Sequence, residues 1–285
     1  MKIIKNFLIS VLALIILVGS VAVGGYFYVK KTYDIDLLKT VKELKILSEP
    51  VNESELCPHA FTDSDMLDVQ TEVNNSVENF ITYSEQHGYA VNFDDLPDQM
   101  KYIIRLTDKQ VGALAQTIIN QETGGKIAIA GKEVDLAVKQ VQFSSITTTS
   151  ALVNVIVSID LTPFIGDMPE KFPFTYLKKH IPSGLYISST VKIDKGEPFT
   201  YTVSHQALTI NKLSKEDTED LFHTLDVVLK VGSAKDWNVK IGTAIANALI
   251  GNEVDNGLAY SLKGIGATDY KFFKEAGVNY FSVLR

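Results

Sequence analysis

The stretch Ala151–Leu161, ALVNVIVSIDL, sets Val153, Val155, Val157, Ile159 and Leu161 at every second position. Successive strand side chains point to opposite faces, so these five share one apolar face. The run of 11 residues is longer than the usual strand of about five or six. Its neighbours are of the same kind. Leu185, Ile187, Val191 and Ile193 share a face downstream. Upstream, Val134, Leu136 and Val138 alternate, then Val141 and Phe143 continue out of phase. A slip of one residue turns every later side chain over, so the change of phase predicts a β-bulge near Lys139-Gln140. Phe199, Tyr201 and Val203 make a fourth run that changes face before Leu208 and Ile210, placing a second bulge around His205. Most connections are too short for crossover helices, so the strands pair antiparallel. The expected fold is α+β: a long, curved, bulged antiparallel sheet with amphipathic helices packed on one face.

The helices carry their own punctuation. Thr107 and Gln110 form a capping box, Leu106 and Val111 a hydrophobic staple, and Gly124-Gly125 a stop. The face between is Val111, Leu114, Ala115, Ile118 and Ile119. Ser214 with Asp217 opens a helix to about Lys230, and Asp236 to Ile250 reads as another, closed by Gly251. A last strand runs near Val278 to Leu284. Before the sheet, Thr62 and Asp65 cap an acidic helix, with Met66, Val69, Val73, Val77 and Phe80 on one face, expected to run to His87.

The amino-terminal run Phe7–Val29 carries no charge over 23 residues, long enough to span a hydrocarbon core of about 30 Å. Lys2 and Lys5 precede it, Lys30 and Lys31 follow, and Tyr26 and Tyr28 stand where aromatic rings favour the membrane interface. Ala22-Val23-Gly24 would suit cleavage, but the apolar run continues past it, which fits an uncleaved anchor better. No Cys closes the run, which excludes a lipoprotein anchor. A short tail with two Lys favours a single-pass chain in the cell membrane with its soluble part outside the cytoplasm. Lys30, Lys31, Lys39, Lys42 and Lys45 on the other flank argue for the opposite orientation. The expected plan is a tail (1–6), an anchor (7–29), a stalk and linker (30–61), an acidic helical segment (62–100) and an α+β domain (101–285).

Four of the 27 basic residues precede residue 32, while all 34 acidic ones follow it, so the soluble part carries 23 against 34, a net −11. Such a field repels nucleic acid and anionic headgroups. Residues 46–100 hold twelve acids and no Lys or Arg. A solvated acidic face is one reading; a dock for a basic protein partner, or a calcium surface through Asp63, Asp65 and Asp68, is the other. The single Cys57 excludes an internal disulfide. Ser189-Thr190-Val191-Lys192 matches S-x-x-K only by spacing, because positions three apart on a strand face opposite ways. Cys57-Pro58-His59 lies in a linker, and His205 at the second bulge is the first histidine to inspect. No catalytic motif, metal site or cofactor site is legible.

An anchor, the capped helix Thr107–Gln121, long bulged strands, the run Pro182-Ser-Gly-Leu-Tyr-Ile-Ser188 opening a strand, and a helix after Asn211-Lys212-Leu213-Ser214 together resemble bacterial membrane-anchored envelope proteins with a TULIP-like (tubular lipid-binding) domain. The resemblance covers about residues 100–285. It implies a curved sheet around a long helix and an apolar groove for a lipid tail. Val153, Val155, Val157, Ile187, Val191 and Phe199 are the expected groove wall; a filled core is the alternative. The loop Phe164–His180, with Pro169 and Pro173, is the gate candidate. Two functions are therefore expected: a non-enzymatic, membrane-anchored domain binding a lipid or other apolar ligand, or an interaction module of an envelope-assembly or secretion complex using the acidic 46–100 region.

Overall fold

A computed structural model of the chain describes residues 36–78, 81–84, 88–91, 102–129, 132–163, 182–229, 232–254 and 257–285. The tail and anchor run, and the gate loop 164–180, lie outside these residues. Among the described residues no helix is long and apolar enough to cross a membrane.

Helices α1 (Leu37–Leu47), α2 (Glu53–Leu56) and α3 (Asp63–Glu78) come first, then hairpin strands β1 (Ile81–Ser84) and β2 (Gly88–Val91). β3 (Tyr102–Thr107) runs straight into α4 (Asp108–Thr123), because Thr107 both ends the strand and caps the helix. Its hydroxyl accepts from Gln110 N at 3.1 Å and the Gln110 side chain accepts from Thr107 N at 2.8 Å. Gly124 stops the helix in the left-handed region at φ 65°, where a glycine carries no Cβ penalty. Next come β4 (Lys126–Ile129), β5 (Lys132–Ser144), β6 (Ser150–Asp160), β7 (Gly184–Lys195) and β8 (Tyr201–Ile210), neighbours in chain order and antiparallel throughout. Helices α5 (Lys215–Leu229), α6 (Ala234–Leu249) and α7 (Leu258–Ser261) follow, and β9 (Asp269–Glu275) and β10 (Val278–Leu284) pair with β3 in the order β3-β10-β9.

The α+β class and the antiparallel pairing are as expected, and so are both bulges. Val138 pairs with Val157 and Gln140 with Ile156, leaving Lys139 extra. Thr190 pairs with Ala207 and Val191 with His205, leaving Gln206 extra. Other expectations are corrected. The described strands form three sheets of two, three and five strands, not one long sheet. The acidic helix ends at Glu78, short of His87, and Ile81–Ser84 pairs with Gly88–Val91 as a hairpin within the segment read as helical.

The stretch read as stalk and linker packs against the domain. Leu44 and Leu47 of α1 enter a core cluster with Leu221, Leu225 and Trp237. Residues 53–59 form a strap on the sheet's outer face, and Phe61 beyond it packs on Gly112 of α4. Glu53 accepts from Tyr186 Oη at 2.7 Å and pairs with Lys139 Nζ at 3.0 Å, and His59 N donates to Gln140 Oε1 at 2.8 Å. Cys57 is buried, and burial pushes its thiol up to about 11, with the Glu53 carboxylate adding to the effect. A thiol held so far above neutrality is a packing group and not a nucleophile.

On the inner face α4 lies over β5, and α6 lies over β7 and β8. Gly242 is what brings α6 down: a Cβ there would stand 2.9 Å from Val203 Cγ1 and closer still to Val191. We expect Gly242→Ala to cost about 1–3 kcal/mol by overpacking, read as a lower denaturant midpoint at unchanged slope. Val191→Ala in the same chain should restore part of the loss.

Candidate functional site

Six side chains were expected to wall a groove, and the structure separates them. Val153, Val155 and Val191 sit in the core cluster shared with Ile250 and Phe281, each 5% exposed or less. Ile187 belongs to the other cluster, with Leu213 and Phe222. Phe199 is not on a strand. It stands in a turn at φ 59° and meets the Tyr260 ring edge-on at 5.7 Å. These five are filled core: α6 and the β3-β10-β9 sheet contribute to the cluster around four of them, and α5 and α6 to the cluster around Ile187. A groove through Val191 is therefore not open.

Val157 is different. It is half-buried and packs against both core clusters, and so does Ile119 of α4. The two helices make their main contacts on β5 and on β7-β8, so neither lies centrally over β6, the strand that carries Val157. Half-buried Leu114, Ala115 and Ile119 from α4, and Ile241 and Ile245 from α6, pack on the same two clusters. With Val157 on the sheet's central strand, these half-buried apolar side chains of the two helices are the candidate seam. Periodicity marked Leu114, Ala115 and Ile119 as one apolar helix face, but it does not state how deeply each is buried. Ile118, read as part of that face, is 43% exposed.

Beside the seam lies a buried polar group. Ser189 Oγ donates to Asn238 Oδ1 at 2.6 Å, and Asn238 Nδ2 donates to Thr190 O and His205 Nδ1, both at 2.8 Å. Ser189 and Asn238 are 1% and 0% exposed, and satisfying each other is what makes their burial tolerable. The amide donor fixes Nδ1 as an acceptor, so the neutral imidazole carries its proton on Nε2, facing Glu219 Oε1 at 3.9 Å. This is a structural bolt joining α6 to the bulge in β8. Ser189 is spent on Asn238, while Lys192 pairs with Asp194 at 2.6 Å on the outward face, so the S-x-x-K spacing brings nothing together.

The acidic candidates also separate. Asp65 caps its helix, accepting from Thr62 N at 2.7 Å and Thr62 Oγ1 at 2.8 Å. Asp63 and Asp68 are exposed. Among the described residues no three His, Cys, Asp or Glu side chains group as a metal ion needs. Comparison with protein-family models, curated proteins and solved structures gives no match.

Burial lowers the His205 pKa below its ordinary 6.5, and Lys215 and Lys235 reinforce the shift against Glu219. The folded state thus prefers the neutral ring. Its contribution is present above pH 6.5 and declines as the pH falls below that value. Unfolding midpoints of His205→Gln are expected to lose this part of the acid sensitivity below pH 6.5.

Proposed function

We propose that this chain is a membrane-anchored, non-enzymatic domain that holds the acyl tail of a lipid in the seam between α4 and α6. The soluble part stands outside the cytoplasm at the cell envelope, tethered by residues 7–29. The observation that supports the reading is Val157 itself, half-buried on β6 while the two helices make their main contacts on other strands. An acyl chain there would cover apolar surface, gaining about 0.8 kcal/mol for each methylene removed from water, and the anchor keeps the domain where such chains are abundant. The groove is narrower than the sequence implied, with Val157 the one member of the expected wall that lines it.

The interaction-module reading is favoured by one observation, the exposure of Asp63 and Asp68 on a segment without basic residues. It predicts salt-sensitive capture of a basic protein by an empty domain.

Native mass spectrometry of residues 32–285, followed by solvent extraction, separates the two. The lipid reading expects a stoichiometric adduct that extracts as lipid. Val157→Asp or Ile245→Asp should reduce that adduct at least tenfold in a folded protein, whereas Val153→Asp should prevent folding, because its site is 0% exposed. A clean mass from well-folded protein, unchanged by added lipid, contradicts the proposal.

A further inference from the structure

Glu43 is 1% exposed, and its Oε1 has no hydrogen-bond partner. A buried polar atom without a partner calls for an explanation, and a carboxylate more than most. The residue lies on the inward face of α1 with Thr40, Leu44 and Leu47, all buried, where α1 packs on α5. Thr218 of α5 is 0% exposed and likewise leaves its Oγ1 without a partner. The charges acting on Glu43 are Lys39 on α1, Asp217 in the first turn of α5, and Asp36 at the α1 N-cap. Lys39 is already engaged by Asp220 of α5, and Asp217 is held in the Ser214 cap. One shared cation therefore stands against two further carboxylates. Among the described residues Lys39 is the one charge that favours an ionised Glu43, and desolvation and the two carboxylates outweigh it.

We propose that α1 is a proton-controlled latch: it docks on α5 while Glu43 is neutral and lets go as Glu43 ionises. Desolvation pushes the docked carboxyl from 4.5 up to about 7; Lys39 works against the shift, and Asp217 and Asp36 with it. A released, solvated Glu43 ionises at its ordinary value. Docking is then strongest below pH 4.5, weakens as the pH rises, and levels off above pH 7. Between pH 5 and pH 7 the docking constant falls about 40-fold. The latch does not rest on the proposed function. On the anchored reading it has a consequence, because freeing α1 gives residues 30–51 to the tether, which can then extend to about 70 Å.

The test is hydrogen exchange of the full-length chain in detergent at pH 5, 6 and 7, corrected for intrinsic rates, with β7 as the internal reference. Opening of α1 is expected to rise about 40-fold from pH 5 to pH 7 while β7 stays unchanged, and to stay flat in Glu43→Gln. Asp217→Asn, which removes a charge that raises the Glu43 pKa, should shrink the rise. Glu43→Leu provides a second flat reference should the amide fail to fold. Protection of α1 that does not change with pH overturns the latch, as does an equal change in Glu43→Gln. An equal rise in β7 also overturns it, since the loss is then global.

Discussion

The seating of α6 on β7 and β8 is the constraint on which the rest of the arrangement depends. Gly242 presents no side chain to Val191 and Val203, and four residues earlier Asn238 bonds Ser189, Thr190 O and His205. The two contacts act differently. Close approach of the backbone gives dispersion and apolar burial, which are non-directional. The amide bonds are directional and become costly if one partner moves. Together they hold the helix at one height and one rotation over the bulge at Gln206.

That placement determines what remains uncovered. With α6 committed to β7-β8 and α4 to β5, the main helix contacts fall on either side of β6, and Val157 is left half-buried between the core clusters. The β3-β10-β9 sheet closes one end through Phe272 and Phe281, and α1 with α5 closes the other through Leu44, Leu47 and Phe222. The strap from α2 through His59 covers part of the outer face, using Glu53, Tyr186, Lys139 and Gln140.

Much of the fold was legible in the sequence because its signals are local. The phase slips after Val138 and before Leu208 located both bulges, and the Thr107–Gln110 and Ser214–Asp217 pairs located helix starts that the hydrogen bonds bear out. What stayed hidden depends on distant contacts. β3 and β9 stayed hidden because each is held by its pairing with β10, a contact between distant parts of the chain for β3. The stretch 30–61 read as stalk and linker, yet Glu53 and His59 dock on Lys139, Gln140 and Tyr186, more than 80 residues away. The groove wall failed for a related reason. Alternation states which face of a strand is buried, but not whether a helix or a seam lies above each residue. Val153 and Val157 have the same sequence pattern and different surroundings.

Methyl NMR of the domain with a fatty acid carrying a spin label near its tail would test the seam most directly. Line broadening is expected to centre on Val157, Ile119, Ile241 and Ile245, with Val153 and Val191 affected less. Broadening confined to the outer face around Ile156, or none with the fatty acid in excess, would contradict it.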